Sequence, residues 1–449
     1  MNLYIHLETV ARELDAKLLL AVIGASRGHE VIVSNFEIIS KGLEKNLLNP
    51  GIVHTKSLTP SRTKFEKLNK IIKKGCKITS MDEEGGLVDY GYDRMAVLRY
   101  GNKTLKQASA VFTWGPEDFN SLKKYYPNHI SKFHMTGSSR VDLWGPKFLS
   151  YWKKKNKKLD KPFLLIPSNF GAGLAVLSLY ERLKLRKVGE YFERLPSLRK
   201  TFIKRESEQF KLIAFFLEAI EYLSNKNKNY HIILRPHPAE SLETWKILLE
   251  QFPNVSVIRD DGVSSWIKNA FAIIHNGCTT ALEASLFKKP IITYTPFRAE
   301  FPRKLANDLG QKVTSLNELK KKIDGIFFNL KKTKNQKKIN QPLPKILLKK
   351  LFIDEEEIAA NKMFKVWEKI DSSKLSKPNN WALFKFSLRI KKILRLNDVF
   401  TKNPKNFKFP PFEREEILFK INKLVKILRI KDELDCDFLS DRTLLIKKK

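Results

Sequence analysis

Short runs of apolar residues alternate with helix-like segments along the first 300 residues. The apolar runs, rich in Val, Ile and Leu, lie at 3–5, 30–33, 77–79, 110–113, 163–166, 232–234 and 273–274. Between the first two of them, apolar positions at helical spacing predict a helix over 11–27. This alternation of strand and helix predicts parallel βα units, which bind ligands beyond the carboxyl ends of their strands.

Changes in this pattern divide the chain into three parts. A lysine-dense segment at 150–161 separates a first domain, 1–150, from a second, 160–330, in which 175–225 is read as a helical insertion. A second polar segment at 330–342 precedes a basic, mainly helical extension over 343–449. The predicted fold class is therefore α/β, with two Rossmann-like parallel-sheet domains facing a crevice.

The net charge narrows the choice of partners without deciding it. The chain carries 84 Lys and Arg against 48 Asp and Glu, a formal net charge of +36. This excess is spread along the whole sequence and favours acidic lipid, anionic polysaccharide or nucleic acid. No recognised RNA-binding signature is found, so we expect no nucleic-acid partner.

Cysteine usage and the N-terminal residues indicate the cellular compartment of the protein. The three cysteines, Cys76, Cys278 and Cys436, are far apart and show no metal-ligand spacing. The first residues lack the basic segment and apolar core of a signal peptide, and no early apolar run is long enough to span a bilayer. We therefore expect a cytoplasmic protein, in peripheral contact with an anionic membrane at its inner face.

Two stretches of the extension combine apolar and basic residues at helical spacing. Residues 416–429 place Ile417, Ile421 and Leu424 on one helical face beside lysines, and 381–396 has a similar mixture. Such a helix either lies on an anionic leaflet or packs on the sheet domains with a solvated basic side. The sequence favours the second alternative slightly.

A candidate phosphate site follows the strand at 273–274. Asn276 and Gly277 form a bend, and Thr279 and Thr280 stand at the start of the next helix. Gly277 lets the backbone turn, while hydroxyl groups and unpaired amides at a helix N-terminus favour an anion. We predict that this turn binds a nucleotide phosphate.

Two further strand ends of the second domain carry candidate residues. The strand at 232–234 runs into Arg235 and then His237 and Pro238, while the strand at 163–166 is followed by a loop containing Gly171. With 8 His and 20 Pro in the chain, a His-Pro pair has little weight by itself. Its position directly after an apolar strand makes His237 a candidate. Arg235 is either a ligand contact or an ion-paired strand-end residue, and the Gly171 loop is either a ligand contact or an ordinary turn.

The first domain contributes an acidic cluster. Asp82, Glu83 and Glu84 follow the strand at 77–79 and precede two glycines. Close carboxylates raise one another's pKa, which suits a general base, although acidic residues also cap helices. Arg12 and Glu13, where the first strand meets its helix, are candidate substrate contacts or a surface ion pair.

Together these motifs resemble two groups of known proteins. An acidic motif followed by glycine, then His-Pro, then a hydroxyl pair is similar to the three motifs of GT-B glycosyltransferases that use CMP-activated keto-sugars such as Kdo and sialic acid. Residues 1–300 also resemble the surface carbohydrate biosynthesis proteins. The segments that carry this second resemblance are 12–21 (RELDAKLLLA), 27–29 (RGH), 112–115 (FTWG), 136–137 (TG), 140–142 (RVD) and 275–284 (HNGCTTALEA).

The resemblance implies a role for each motif. Asp82 would be the general base, with Glu83 and Glu84 as reserves, and His237 would contact the donor phosphate. Thr279 and Thr280 would hold the same phosphate, so the resemblance implies no metal and no cofactor. The fold implied is GT-B-like, and the partners are a nucleotide-sugar and a glycan or glycolipid acceptor.

The leading hypothesis is a metal-independent glycosyltransferase of surface polysaccharide or lipopolysaccharide biosynthesis. It would transfer a sugar from a CMP-activated Kdo or nonulosonate donor to a glycan acceptor. On the same fold, the alternatives are a nucleotide-sugar 2-epimerase or a CDP-glycerol-type transferase. A basic scaffold that binds nucleic acid or membrane is the alternative of another class. For a transferase, retention and inversion both stay open, because they depend on the distance between carboxylate and sugar.

Overall fold

The chain is described by a computed structural model that covers all residues except 90–91, 153–160, 189, 195, 228, 261, 333–342, 371–376 and 394–407. The described residues form two compact units. The first unit comprises residues 1–151 and 348–449, and the second comprises 152–347. Most of the two lysine-rich segments, in which the domain boundaries were predicted, lies outside the described residues.

The N-terminal part of the first unit alternates strands and helices. Its strands are β1 (Asn2–His6), β2 (Glu30–Ser34), β3 (Ile52–Thr55), β4 (Lys77–Met81), β5 (Ala108–Thr113) and β6 (Phe133–Met135). Its helices are α1 (Val10–Ser26), α2 (Phe36–Glu44), α3 (Arg62–Lys73), α4 (Tyr92–Arg99), α5 (Asn102–Gln107), α6 (Pro116–Tyr125) and α7 (Ser139–Trp144). The six strands are parallel and lie in the order β2-β1-β3-β4-β5-β6.

The second unit repeats this plan with a different strand order. Its strands are β7 (Phe163–Pro167), β8 (His231–Arg235), β9 (Val255–Val257), β10 (Ala272–His275), β11 (Ile291–Tyr294) and β12 (Gln311–Val313). Its helices are α8 (Leu179–Val188), α9 (Tyr191–Arg194), α10 (Pro196–Asn225), α11 (Leu242–Leu249), α12 (Val263–Asn269), α13 (Thr280–Leu286), α14 (Lys304–Asn307) and α15 (Leu316–Lys332). The parallel order β12-β11-β10-β7-β8-β9 is that of a doubly wound dinucleotide-binding sheet.

The C-terminal region returns to the first unit. Its helices are α16 (Lys345–Lys350), α17 (Ala359–Lys369), α18 (Trp381–Ile393) and α19 (Arg414–Leu428). They are followed by a hairpin of β13 (Leu434–Ser440) and β14 (Thr443–Lys448). Strand β14 pairs antiparallel with β2, so the hairpin extends the first sheet to eight strands.

Helix α1 shows why the C-terminal region belongs to this unit. Its sequence is apolar on nearly all sides, and residues from Leu14 to Ala25 are buried with few exceptions. A helix of this kind must be covered on every face. The sheet, including β14, covers one side, and α7, α17 and α19 pack against the others. Gly24 lets α17 approach closely, because a Cβ there would lie 2.8 Å from the ring of Phe364.

The fold class predicted from the sequence, α/β with two Rossmann-like parallel-sheet domains, is confirmed. Each unit has its own core of Val, Ile, Leu and aromatic side chains between helices and sheet. A chain with two such domains is GT-B-like, as the resemblance implied. In the described part of the chain, no helix is both long and apolar enough to cross a membrane.

Candidate functional site

Strand order fixes where each unit can bind a ligand. In the first sheet the direction of winding changes between β1 and β3, and in the second between β7 and β10. Loops at the carboxyl ends of these strands diverge and leave a crevice, so such switch points are the usual ligand sites of open α/β sheets. The acidic motif follows β4, directly beside β3, and the predicted phosphate turn follows β10.

Cationic side chains surround the acidic motif of the first unit. Glu83 is buried and forms an ion pair with the buried Lys17 of α1. Glu84, which is partly exposed, receives hydrogen bonds from Arg12, at 2.8 Å, and from Arg99 of α4. Two of the three carboxylates are therefore neutralised by direct ion pairs.

Asp82 is the least compensated of the three. Its side chain is buried, its Oδ1 accepts the Glu84 amide at 3.0 Å, and its Oδ2 lies 3.6 Å from the Arg99 guanidinium. That Oδ2 accepts no hydrogen bond from the described residues. A buried carboxylate oxygen without a hydrogen-bond donor is unfavourable for the ionised form.

The environments of Asp82 and Glu84 push their pKa values apart. Burial raises the pKa of Asp82, and the neighbouring charge of Glu84 adds to the rise although Arg99 opposes it. For Glu84, burial also acts upward, but Arg99 and Arg12 outweigh it and lower its pKa to about 2. Asp82 therefore binds a proton more readily than an exposed aspartate does, while Glu84 stays ionised.

Glu13 and Arg12 belong to the same network. The Glu13 carboxylate is fully buried, 3.0 Å from Arg12, and also accepts the amide of Glu8 at 3.0 Å. Burial acts to raise its pKa, but Arg12, Lys56 and Lys17 lower it to about 2. Arg12 therefore bridges Glu13 and Glu84, which places both predicted substrate contacts inside the ion-pair network rather than on an open surface.

Trp114 holds the acidic loop in place. Its indole Nε1 donates to the Asp82 carbonyl at 2.7 Å, and its ring faces the turn that follows. Cβ atoms at Gly85 and Gly86 would lie 2.7 and 2.6 Å from that ring, so only glycine fits there. The guanidinium of Arg140, stacked near the same ring, donates to the Glu83 carbonyl at 3.0 Å.

The phosphate turn predicted in the second unit adopts the bend expected of it. Gly277 has a φ of +66°, and a Cβ there would lie 2.9 Å from the side chain of Arg303. Its amide donates to Asn307 at 2.6 Å, and its carbonyl accepts from Asn169 at 3.0 Å. Because Asn169 belongs to the loop after β7, this hydrogen bond joins the two loops at the switch point.

The residues on either side of Gly277 have different neighbours. Asn276 donates to the carbonyl of Tyr294 at 2.7 Å, so its amide group supports β11. The Thr280 hydroxyl donates to the sulfur of Cys278 at 3.0 Å. Thr279, at the N-cap of α13, is partly exposed and makes no capping hydrogen bond with its side chain. Thr279 therefore has the hydroxyl best placed to meet a ligand in this turn.

His237 is exposed and oriented by its own loop. Its Nδ1 accepts the amide of Ala239 at 3.1 Å, which leaves Nε2 as the protonated nitrogen of the neutral ring. Its backbone amide donates to the hydroxyl of Ser168 at 3.1 Å, beside the partly buried Pro238. The ring can therefore present an N–H donor, which suits contact with a phosphate oxygen.

Arg235 is placed differently from its neighbour. The side chain is buried, donates to the carbonyl of Asp260 at 2.7 Å, and lies over the ring of Trp266. The sequence left Arg235 as either a ligand contact or a strand-end residue. These contacts favour the second role, in which Arg235 fixes the loop that follows β8.

Sequence reasoning missed Glu240, which organises this edge of the second unit. Its buried carboxylate accepts hydrogen bonds from Ser168, from the amides of Phe170 and Gly171 at 2.7 and 3.0 Å, and from Trp245 at 2.9 Å. The Gly171 loop and the His237 loop are thereby linked. The only sequence signal was its place three residues after His237.

Other missed residues are the cations that neutralise the acidic motif, Lys17 and Arg99, and Arg303 against Gly277. They lie far from their partners in sequence, so no local spacing pointed to them. Within the described residues, no group of three or more His, Cys, Asp and Glu side chains is arranged to hold a metal ion.

Comparisons with known proteins give similar solved structures only. No protein-family model matches the chain, and no curated protein does. The UDP-GlcNAc 2-epimerase of Methanocaldococcus jannaschii, in complex with UDP-GlcNAc and UDP, has 17% identity over 82% of this chain and 99% of its own, with a TM-score of 0.46. The UDP-N-acetylglucosamine 2-epimerase of Rickettsia bellii has 13% identity over 83% and 98%, with a TM-score of 0.45.

A third similar structure is a transferase. The ADP-heptose LPS heptosyltransferase II of E. coli has 12% identity over 74% of this chain and 99% of its own, with a TM-score of 0.34. All three proteins are named for nucleotide-activated sugars, but none is named for a CMP-activated one. At these identities and TM-scores, the similarities assign neither a substrate nor a site to this chain.

The enzyme class predicted from the sequence is corrected by these comparisons. We predicted a glycosyltransferase, whereas the similar structures with the higher TM-scores are 2-epimerases. An epimerase is an isomerase: it inverts one carbon of the sugar and needs no acceptor. The alternative that the sequence analysis kept open on the same fold, a nucleotide-sugar 2-epimerase, agrees better with this finding.

Proposed function

We propose that the chain is a nucleotide-sugar 2-epimerase. The observation that carries the proposal is the pair formed by Asp82 and Glu84, in which burial raises the pKa of one carboxyl group while cations keep its neighbour ionised. Inverting a carbon that bears hydrogen requires removing a proton from one face and returning one to the other. A carboxyl group with a raised pKa suits proton transfer of this kind.

The chemistry of a nucleotide-sugar adds a second requirement. Its anomeric carbon is held as a glycosyl phosphate, so no free carbonyl acidifies the proton at C2. Loss of that proton becomes feasible when the C1–O bond breaks at the same time, giving a C1=C2 double bond and a free nucleoside diphosphate. Addition of the diphosphate to C1 and of a proton to the opposite face of C2 then restores the sugar. No redox cofactor is needed, because no electrons leave the substrate.

The second unit supplies the groups that this departure needs. An N–H donor on His237, the hydroxyl of Thr279 and the guanidinium of Arg303 are suited to bind a diphosphate. Hydrogen-bond donors and cations stabilise the charge that develops on the departing oxygen. We propose that these residues hold the nucleotide, and that Asp82 transfers the proton.

Replacing Asp82 tests the assignment of the base. Asp82→Asn keeps the shape and the Oδ1 acceptor, but the amide cannot take a proton, so we expect turnover to fall roughly 100-fold to 10,000-fold. Nucleotide binding, measured by calorimetry with UDP, should stay within about twofold, because Asp82 is proposed to act on the sugar. Asp93→Asn is the matched control, since that partly exposed aspartate on α4 pairs with Lys124 and Ser121 of α6.

Solvent exchange distinguishes an epimerase from other enzymes on this fold. The protein is incubated in D₂O with UDP-GlcNAc, UDP-glucose or GDP-mannose, and the recovered nucleotide-sugar is analysed by NMR. Deuterium at C2 and a second epimer are the expected result, both lost in Asp82→Asn. If no nucleotide-sugar exchanges its C2 proton with the intact protein, the proposed reaction is wrong. Exchange that persists in Asp82→Asn would instead move the base to another residue.

A further inference from the structure

Helix α18 is apolar on two opposite faces. One face, with Phe384 and Leu388, is buried in the core of the first unit. The other carries Leu383, Phe386 and Ile390, which are 48%, 60% and 36% exposed. An apolar face of a helix is normally buried, but the described residues leave this second face exposed.

The exposed residues form one continuous stripe. Their spacing of three and then four residues places them one above the other along the helix. Contiguous apolar surface of this kind marks an interaction site, whereas single exposed apolar residues do not. We call Leu383, Phe386 and Ile390 the apolar stripe.

Contacts at its N-terminus fix the direction of α18. Asn380 caps the helix by accepting the Leu383 amide at 3.0 Å. The preceding Asn379 accepts the amide of Asn49 at 2.6 Å, and the carbonyl of Lys377 accepts from Asn2 at 2.8 Å. The stripe is therefore presented on a helix that is firmly attached to the first sheet.

The charged residues of α18 and of the segment before it are all basic. Residues 377–393 contain five lysines and arginines and no aspartate or glutamate. Lys385 is neutralised by Asp437, at 2.6 and 2.8 Å, whereas Arg389 is exposed beside the stripe. A cover that fits this surface is apolar at its centre and carries negative charge towards Arg389.

We propose that the apolar stripe docks on the surface of an anionic phospholipid bilayer, with α18 lying in the headgroup region. Apolar and aromatic residues on a helix whose own charged residues are all basic are the composition of an interfacial helix. Anionic lipid attracts lysine and arginine side chains that lie near its surface. A second copy of this chain fits less well, because a two-fold contact would bring two basic surfaces together. This inference does not depend on the proposed reaction.

Helix α19, the other candidate from the sequence, is arranged differently. Its apolar residues Ile417, Ile421 and Leu424 are buried, and it packs against α1. Two acidic residues, Glu415 and Glu416, stand in its first turn. This is the packed alternative that the sequence left open. Phe419 stays 58% exposed, which makes it a control for Phe386.

Vesicle binding by the full chain tests the proposal. The protein is sedimented with vesicles of phosphatidylcholine alone, or with about 30% phosphatidylglycerol, at low and high salt. We expect binding to the anionic vesicles only, and weaker binding at high salt. Phe386→Glu should reduce the partition coefficient about tenfold or more, whereas Phe419→Glu should change it by less than about twofold. Thermal melting shows that both variants are folded.

Three outcomes would overturn the proposal. One is that the unaltered chain fails to sediment with anionic vesicles. A second is that Phe386→Glu and Phe419→Glu weaken binding equally, which would mean that the stripe plays no special part. The third comes from sedimentation equilibrium without lipid: a dimer that Phe386→Glu dissociates would show that a second copy covers the stripe.

Discussion

Glu240 shows how one buried side chain can organise a binding edge. Its carboxylate accepts four hydrogen bonds, from two side chains and two backbone amides. These donors come from the loop after β7 and from α11, while Glu240 itself belongs to the loop after β8. Hydrogen bonds to a charged group are stronger than neutral ones, so the carboxylate holds three segments in one arrangement.

Replacing Glu240 should therefore destabilise the second unit strongly. Glu240→Ala removes the acceptor of four hydrogen bonds, three of them buried, and we expect the free energy of unfolding to fall by about 3 kcal/mol or more. Urea unfolding followed by tryptophan fluorescence measures this change, since Trp245 is one of the donors. Glu243→Ala, at an exposed position of α11, is the control and should cost less than about 0.5 kcal/mol. Equal losses in the two variants would contradict the role of Glu240.

Helix α17 is one of the elements that join the C-terminal region to the first unit. The carboxylate of Asp142 accepts the amides of Ala359 and Ala360 at 2.9 and 3.0 Å, at the beginning of the helix. At its other end, Trp367 donates to the hydroxyl of Thr79 at 3.0 Å. A carboxylate distant in sequence thus performs the capping that a local residue normally provides.

Removing this cap should destabilise the first unit by about 1–2 kcal/mol. Asp142→Ala leaves the two amides of α17 unsatisfied, whereas Asp142→Asn retains one acceptor oxygen and should lose less. Urea unfolding of the full chain measures both, with Glu37→Ala on the exposed surface of α2 as control. If Asp142→Ala lowers the free energy of unfolding no more than the control does, the capping role is contradicted, because that result would show that water satisfies these amides equally well.

Local patterns predicted the elements whose partners are near in sequence. The apolar runs at 30–33 and 163–166 correspond to β2 and β7, and the helix expected over 11–27 is α1. The hairpin of β13 and β14 could not be predicted in the same way, because β14 pairs with residues about 410 positions away. Its alternating charges, as in Asp435 and Asp437, also conceal the strand from a search for apolar runs.

The same distinction between local pattern and distant contact applies to the candidate site. The sequence located the loops after β4, β8 and β10, because strand ends can be recognised from local pattern. It did not reveal that Glu83 and Glu84 are neutralised by Lys17, Arg12 and Arg99. Those ion pairs depend on how α1 and α4 pack on the sheet, and no spacing along the chain encodes that contact.

For the whole molecule, buried histidines contribute to the dependence of stability on pH. His6, His54 and His275 are buried in the two sheets. Burial lowers the pKa of His6 to about 3 and that of His275 to about 4, and it lowers the pKa of His54 well below its usual value. Each is neutral when folded but takes up a proton near pH 6.5 when unfolded. Their stabilising contribution is therefore complete above pH 6.5 and is lost as the pH falls towards 4.

His275 allows this to be tested in the second unit alone, away from Asp82, whose raised pKa acts in the opposite direction. Between pH 6.5 and 4.5, the free energy of unfolding of that unit should decrease by about 1.4 kcal/mol per pH unit for this histidine. His275→Gln should lower stability at pH 7, because it disturbs the contacts with Cys278 and Thr293, but should remove that part of the slope. Urea unfolding at several pH values compares this variant with the unaltered protein, and an unaltered slope in His275→Gln would mean that His275 takes up its proton in the folded state as well.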